Sequence, residues 1–266
     1  MKSKVTGKSA VGPRTVATSV ETHDQAAPHP AAGRSLTPWV FAGFLMTYIP
    51  FLIVPVFLNN EHVMKEICPV LLIENAGIGM DLKEILEFSR SWFVEHKTPY
   101  IISNSYPPLE TLFFVPLLYL DFNTAYVLFT AINFGCYLLL TLALPVLFSR
   151  QRQLSPLIIL FVATGLFSHG FLFEVERGQF NVIAMLFCLL GIYLFHFHRR
   201  WRIPAYVLFS LSAQLKVFPA IFILMLVDNW RDWKAVLKRF ALLAAANFLC
   251  LFVLGPTAFR EFFVTT

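Results

Sequence analysis

Charged side chains are scarce in this sequence. They make up 14% of its 266 residues, whereas a soluble domain carries roughly 25%. Hydrophobic residues account for 57%, and the mean hydropathy is +0.66. A soluble core cannot bury so much apolar surface, so the composition predicts a polytopic helical membrane protein. The net charge of +5 does not indicate nucleic acid, because the basic residues cluster between apolar runs, as in loops that orient membrane helices.

Cysteine is also scarce. Of the 4 cysteines, Cys136, Cys188 and Cys250 lie in apolar runs and are interpreted as small buried side chains. Their spacing fits neither a disulfide framework nor a zinc site, so we predict no metal. The sequence also lacks a Walker loop, a dinucleotide fingerprint, an HExxH motif and a nucleophile elbow. These absences exclude the common soluble enzyme classes, and we predict no cofactor.

Apolar runs divide the chain. Residues 1–38 are polar and without a period, which predicts a disordered cytoplasmic tail. Residues 39–266 form the predicted membrane domain, all-α and polytopic, whose first run, 39–58, is long enough to span. The later apolar runs are 107–120, 123–148, 154–172, 182–197, 203–227 and 240–254.

An acidic loop at 59–105 follows the first run, and its charge favours the outer side. Within it, residues 81–96 have a helical period that places Leu82, Ile85 and Ser89 on one face. With apolar runs on both sides, this pattern predicts an amphipathic helix in the membrane interface. The alternative is an ordinary helix of a small soluble subdomain.

The basic loops predict a topology. The rule that such loops stay inside places 150–152, 199–202 and 231–239 with the tail, in a multi-pass protein of the cell inner membrane or plasma membrane. This requires that 107–120 is not a full crossing, and that 203–227 is broken with Lys216 at its outer tip. The alternative, one helix per apolar run, leaves two basic loops outside.

A polar cluster occupies residues 173–181, Phe-Glu-Val-Glu-Arg-Gly-Gln-Phe-Asn, between two apolar runs. Polar groups at a membrane edge cost free energy unless paired, so the cluster is a functional-site hypothesis; the alternative is a solvated turn. The planar donors of Arg177 suit a phosphate, and the amides of Gln179 and Asn181 suit sugar hydroxyls. Glu174 and Glu176 have the simpler interpretation of pairing with Arg177 or Lys216.

Two more charges stand out. Asp81 begins the predicted helix at 81–96, where it is either an N-cap or a general base for a substrate hydroxyl. Lys216 is the lone charge of run 203–227, which costs roughly 2.5–3.5 kcal/mol on insertion scales. It either snorkels to the interface or binds a phosphate or an acidic partner such as Glu176. Its central position, with Pro219 close by, favours the second interpretation.

Three segments in this order carry a family resemblance. Asp81 with its helix leads to Tyr-Pro-Pro-Leu at 106–109, followed by Arg-Gly-Gln-Phe-Asn at 177–181 and Leu-Lys-Val-Phe-Pro at 215–219. The set resembles the polytopic glycosyltransferases of family 87, which have the GT-C architecture. The similarity runs from about Trp39 to the C-terminus. Family members usually have several more membrane helices, so the chain is interpreted as a shortened member or a fragment.

The resemblance implies a function. It implies an inverting mannosyltransferase that moves a hexose from a polyprenyl-phosphate donor to a lipid or glycan acceptor, on the outer face and in contact with membrane lipid. Asp81 is the implied catalytic base. The rival from another class is a non-catalytic transporter or assembly subunit, which would also explain a broken helix with a mid-membrane lysine. The predicted substrate-binding residues are Arg177, Gln179, Asn181, Lys216 and Tyr106.

Overall fold

The computed structural model describes residues 39, 42–43, 45–46, 78–100, 104–149 and 156–265. These ranges contain helices and no strand, in agreement with the all-α prediction. The predicted tail, nearly all of the run 39–58, the loop residues 59–77 and the basic residues 150–152 lie outside the described ranges. The α-helices are α1 (Met80–Phe93), α2 (Pro108–Phe113), α3 (Phe122–Leu138), α4 (Leu144–Ser149), α5 (Pro156–Leu166), α6 (His169–Arg177), α7 (Asn181–Phe197), α8 (Arg202–Leu215), α9 (Trp233–Cys250) and α10 (Pro256–Thr265).

Helix α1 is the amphipathic helix expected at 81–96. Leu82, Ile85 and Ser89 are buried, as the period predicts, and the helix packs on α2, on α6 and on the 3-10 helix Val115–Tyr119. It begins one residue earlier than predicted and ends at Phe93. The N-cap is Gly79, with a left-handed backbone, so the N-cap interpretation of Asp81 is wrong. The helix lies against protein here, and its place in a membrane interface stays a prediction.

The apolar run 107–120 is too short to cross a bilayer. It forms α2 followed by the 3-10 helix Val115–Tyr119. At 1.5 to 2 Å per residue, these helices reach less than the roughly 30 Å of a hydrocarbon core. This agrees with the condition that the run is not a full crossing.

A long apolar helix follows. Helix α3 continues through the π-helix Leu139–Ala143 into α4, and together Phe122–Phe148 are long and apolar enough to cross a membrane. The side chain of Asp121 caps α3 by accepting the Thr124 N–H at 3.1 Å. The predicted span at 123–148 therefore has a matching element.

The predicted span at 154–172 is a bent pair instead. Helices α5 and α6 meet at 50°, and Ser168 caps α6 by accepting the Phe171 N–H. Helix α6 continues to Arg177, so residues 173–177 are helical and only Gly178–Phe180 form the turn. The alternative interpretation of 173–181 as a solvated turn is therefore wrong, because Glu174 and Arg177 lie in the last two turns of helix α6.

Among the described helices, α7 and α8 make the most extensive contact. The Ser212 hydroxyl donates to the Ala184 carbonyl at 2.6 Å, and a Cβ added to Gly191 would lie 2.9 Å from the Ala205 carbonyl oxygen. Since Ser212 near the end of α8 meets Ala184 near the start of α7, the helices run antiparallel. The end of α8 therefore lies beside the turn at 178–180.

The run 203–227 is broken, as the topology requires. Helix α8 ends at Leu215, Lys216 is extended, and the 3-10 helix Phe218–Leu226 returns along α7, with Cys188 next to Pro219 and His196 bonded to the Met225 carbonyl. Lys216 therefore lies at the tip of a hairpin.

The base of that hairpin is held by charge. Asp228 accepts from Arg202 at 2.7 Å and from Arg239 at 2.6 Å, and the hydrogen bond from Arg239 is the main cause that lowers the Asp228 pKa to about 2. Further along, Asn247 of α9 bonds to Ser210 and Gln214 of α8, so these two helices run parallel. The bundle therefore has a basic end around Arg202 and Arg239, and an opposite end at Lys216.

Candidate active site

Five of the six predicted site residues lie where α1, α6 and the start of α7 meet the hairpin tip, and Tyr106 enters from the segment before α2. They are half-buried. Beneath them lie Glu174 and Phe180, which are 4% and 1% exposed. Gly178 closes α6 with φ +70° and lets the chain turn back, so that Gln179 and Asn181 face the same region as Arg177.

Asp81 is the centre of the first group. Its Oδ1 accepts from Nε and Nη2 of Arg177, with the Nε bond at 2.9 Å, and its Oδ2 accepts from Gln179 Nε2 at 2.7 Å. The Gly79 N–H also donates to the Glu176 carbonyl at 2.7 Å, which ties the start of α1 to the end of α6. Residues almost a hundred positions apart thus form one ion pair, in which two guanidinium nitrogens donate to a single carboxylate oxygen.

Asn181 and Glu174 extend this group inward. Asn181 Nδ2 donates to Gln179 Oε1 at 2.5 Å and to Glu174 Oε2 at 2.8 Å. Glu174 Oε1 accepts the Val182 N–H at 2.9 Å, near the start of α7. Both carboxylate oxygens of Glu174 therefore accept a hydrogen bond. Glu174 forms no ion pair with Arg177 or Lys216, contrary to the simpler interpretation.

Lys216 is the centre of the second group. Its Nζ donates to Tyr106 Oη at 2.9 Å and lies 4.5 Å from the ring centroids of both Tyr106 and Phe180. Within the part of the chain that the structure describes, Lys216 forms no ion pair. Its charge is stabilised by two aromatic faces, a cation–π arrangement that leaves ammonium hydrogens free for an anion.

Tyr106 is a hydrogen-bond donor at neutral pH. Burial, the negative charge of Glu110 and then that of Asp81 raise its pKa to about 12. Because its oxygen accepts from Lys216, its own hydroxyl hydrogen remains available. Tyr106 is held through Asn104, whose side chain accepts the Tyr106 N–H at 3.0 Å and donates to the Pro99 carbonyl at 2.9 Å.

The structure adds residues that the sequence reasoning left out. Asn133, in the apolar helix α3, donates to the Gln179 carbonyl at 2.5 Å and supports the turn from below. Glu110 in α2 is fully buried, and neither carboxylate oxygen has a hydrogen-bond partner among the described residues. Asn133 and Glu110 are polar residues within apolar runs, and polar residues in such runs are functional-site candidates in membrane proteins.

A separate apolar groove of about 340 Å³ lies between α8 and α9. Leu211, little more than one turn before Lys216, lines it, as does Leu109 of α2, and Arg239 lines it as well. The groove thus connects the basic end of the bundle with the region near the site.

Comparison with known proteins assigns the family. The model described as "Glycosyltransferase family 87" matches residues 104–266. The chain belongs to glycosyltransferase family 87. Searches of curated proteins and of solved structures each found no match. Asp81 and α1 precede the matched segment, whereas the turn at 178–180 and Lys216 lie within it.

Membership in this family confirms the resemblance and indicates a glycosyltransferase, with a donor and an acceptor substrate. It favours the glycosyltransferase over the alternative of a non-catalytic transporter or assembly subunit. Together with the apolar helix Phe122–Phe148, it also indicates a membrane protein. Among the described residues one helix is long and apolar enough to cross, or two if the bent pair α5–α6 is one span.

Proposed function

We propose that this family 87 member transfers a hexose, mannose before others, from a polyprenyl-phosphate donor to a hydroxyl of a lipid or glycan. The reaction takes place at the outer face of the cell inner membrane or plasma membrane, in a multi-pass GT-C-like fold. The observation that supports this proposal is the grouping of Asp81, Arg177 and Gln179 beside the Lys216–Tyr106 pair.

Asp81 is the proposed general base. A carboxylate offers about four lone-pair positions. Arg177 and Gln179 occupy three of them, so the carboxylate is fixed in orientation and one position on Oδ2 remains for the acceptor hydroxyl. Two donors of Arg177 are thereby used, so its role in the proposal is to hold Asp81, and the phosphate role predicted for it passes to Lys216.

The reaction is a direct displacement with inversion. The acceptor oxygen forms a bond to the anomeric carbon while its proton moves to Asp81, and the bond between that carbon and the phosphate oxygen breaks. The electron pair leaves with the phosphate. Lys216 and the Tyr106 hydroxyl are the donors that stabilise the growing negative charge, as fixed donors do at such sites. Asn181 and the free edge of Gln179 are the proposed contacts to the sugar.

The groove between α8 and α9 supports a lipid donor. It is lined mostly by apolar side chains and reaches along α8 toward the end that carries Lys216. Burial of a polyprenyl chain in this groove would stabilise the complex by roughly 0.8 kcal/mol per CH₂ group. A chain seated there would place its phosphate at the end of the bundle that carries Lys216.

Asp81→Asn tests the proposed base. The amide keeps the size of the carboxylate and still accepts from Arg177, but it no longer takes a proton. We expect transfer from a polyprenyl-phosphate mannose donor to fall by roughly 10²- to 10⁴-fold. The assay measures labelled product formed by purified protein in micelles, with thermal stability measured in parallel.

Glu84→Gln, one turn further along α1, is the matched control and is expected to keep full activity. Full transfer by the Asp81→Asn protein would remove Asp81 as the base. Absence of transfer by the unmodified protein with every polyprenyl-phosphate sugar, alongside transfer from a nucleotide sugar, would reject the donor class.

A further inference from the structure

The buried carboxylate of Glu174 lies at the inner end of a chain of side-chain hydrogen bonds that reaches Asp81. The chain runs from Glu174 Oε2 to Asn181 Nδ2, from the same nitrogen to Gln179 Oε1, and from Gln179 Nε2 to Asp81 Oδ2. Three links of 2.5 to 2.8 Å thus connect a residue that is 4% exposed with the proposed base.

We propose that Glu174 is a positioning residue that fixes the orientation of Asp81 through the side-chain amides of Asn181 and Gln179. This inference rests on the proposed function of Asp81. Glu174 touches neither Asp81 nor the region where a substrate would lie, and it acts only through the two amides.

The polarity of the chain is set at its inner end. The Val182 N–H donates to Glu174 Oε1, and a backbone N–H inside a helix cannot turn round. Because a carboxylate oxygen can only accept a hydrogen bond, Asn181 must turn its NH₂ group toward Glu174 Oε2. That group also donates to Gln179 Oε1, which leaves the Gln179 NH₂ group facing Asp81. Each amide has one possible orientation because its neighbour has one.

The backbone keeps the same residues in place. The Gln179 N–H donates to the Glu174 carbonyl at 2.9 Å, and the Gly178 N–H donates to the Val175 carbonyl at 3.2 Å. Asn133 holds the Gln179 carbonyl from the side of α3. With the main chain fixed in this way, the side-chain amides of Gln179 and Asn181 can differ only in whether the oxygen or the NH₂ group faces each neighbour.

Glu174→Gln reverses the chain. The new side chain must keep its oxygen toward the Val182 N–H, so its NH₂ group faces Asn181. Asn181 then presents its oxygen, Gln179 turns to donate to it, and the Gln179 oxygen faces Asp81 Oδ2. An acceptor replaces a donor beside the base, and the carboxylate rotates away from its productive orientation.

We expect kcat for sugar transfer to fall by roughly 10- to 100-fold, because small misplacement of a reacting group has effects of that size. The measurement is kcat at saturating donor, because Asn181 and Gln179 are also the proposed sugar contacts and the donor KM is therefore expected to change as well. Glu176→Gln is the matched control: Glu176 lies on the same helix, is 5% exposed and takes no part in the chain of bonds. It should keep the kcat of the unmodified protein.

A double substitution separates positioning from a general loss of structure. In a Gln179→Met protein the chain is already broken, so adding Glu174→Gln should lower kcat no further, whereas independent effects would multiply. Multiplied losses in the double variant, or an unchanged kcat in Glu174→Gln, would each overturn the proposal. If Glu174→Gln does not fold, Glu174→Asp carries the same test: the shorter carboxylate keeps its charge but no longer reaches Asn181, so kcat should fall, with no further loss in the Gln179→Met protein.

Failure of this inference can be told from failure of the proposed function. If Asp81→Asn abolishes transfer while Glu174→Gln leaves kcat intact, only the positioning role is lost. If Asp81→Asn keeps full transfer, both are lost.

Discussion

At the scale of single residues, the site depends on how each charge is neutralised. Asp81 has a cation and an amide as partners, whereas Lys216 has a neutral phenol and two aromatic rings. The first arrangement fixes an anion in place. The second leaves a half-buried cation with unused hydrogen-bond capacity, as a phosphate site requires.

Lys216→Met is expected to weaken donor binding. The substitution keeps an unbranched side chain that is one atom shorter, and it removes the charge. Loss of a charge-assisted hydrogen bond of about 1.5–3 kcal/mol corresponds to a rise in donor KM of roughly 10- to 100-fold. The measurement is transfer rate against donor concentration, with direct binding of the polyprenyl-phosphate sugar as a second readout.

Lys234→Met is the control, because Lys234 also lies over an aromatic ring, that of Trp233, but near the basic end of the bundle. Its donor KM should match that of the unmodified protein. Equal donor affinity in the Lys216→Met protein would remove the phosphate role of Lys216.

At the scale of elements, the junction of α1 with α6 brings Asp81, the proposed base, to Arg177 and Gln179. Gly178 lies against α1 so closely that an added Cβ would be 2.8 Å from the Leu82 Cβ. Its φ of +70° is a conformation that glycine adopts readily and other residues do not. The turn and the helix contact therefore both require this glycine.

Gly178→Ala is expected to separate α6 from α1 and to break the Asp81–Arg177 pair. Backbone strain alone costs about 1–2 kcal/mol, and the crowding against Leu82 adds to it because neither atom is at the flexible end of a side chain. The thermal unfolding temperature should fall and transfer should be lost.

Gly255→Ala provides the comparison. Its φ of +94° imposes similar backbone strain, but no described atom lies within 4 Å of the added Cβ. It should lose less stability and keep transfer. Equal losses in the two variants would show that crowding against α1 has no part in the effect.

At the scale of the whole molecule, the bundle has two unlike ends. The hairpin of α8 and the 3-10 helix Phe218–Leu226 carries Lys216 at its tip, and Asp228, Arg202 and Arg239 close its base. Basic side chains at the base favour the cytoplasmic side, which would put the site outside.

Labelling of single cysteines is expected to report opposite sides for the two ends. In a cysteine-free protein, Val217→Cys at the hairpin tip should react with an impermeant thiol reagent from outside, and Trp230→Cys beyond the base only from inside. Both positions are well exposed, at 69% and 64%. Labelling of both from one side would reject the topology and the outer-face site with it.

Most of the helical elements follow from the sequence. The period of α1, the long run of α3 and the break at Lys216 were each predicted, because burial against protein or lipid imposes a pattern that local residues carry. The helical end of α6 was not predicted. Polar residues between two apolar runs are typical of a turn, and the sequence does not show that Arg177 and Glu174 have partners on α1 and α7.

The sequence by itself determined the membrane character, the helical class, and the resemblance of three short segments to family 87. Composition and short motifs carry that information locally. Only the tertiary structure decided that Arg177 pairs with Asp81, that Glu174 lies under Asn181 and Gln179, and that Lys216 meets Tyr106. Those contacts join residues far apart in the chain, and a one-dimensional pattern does not specify which distant side chains share a hydrogen bond.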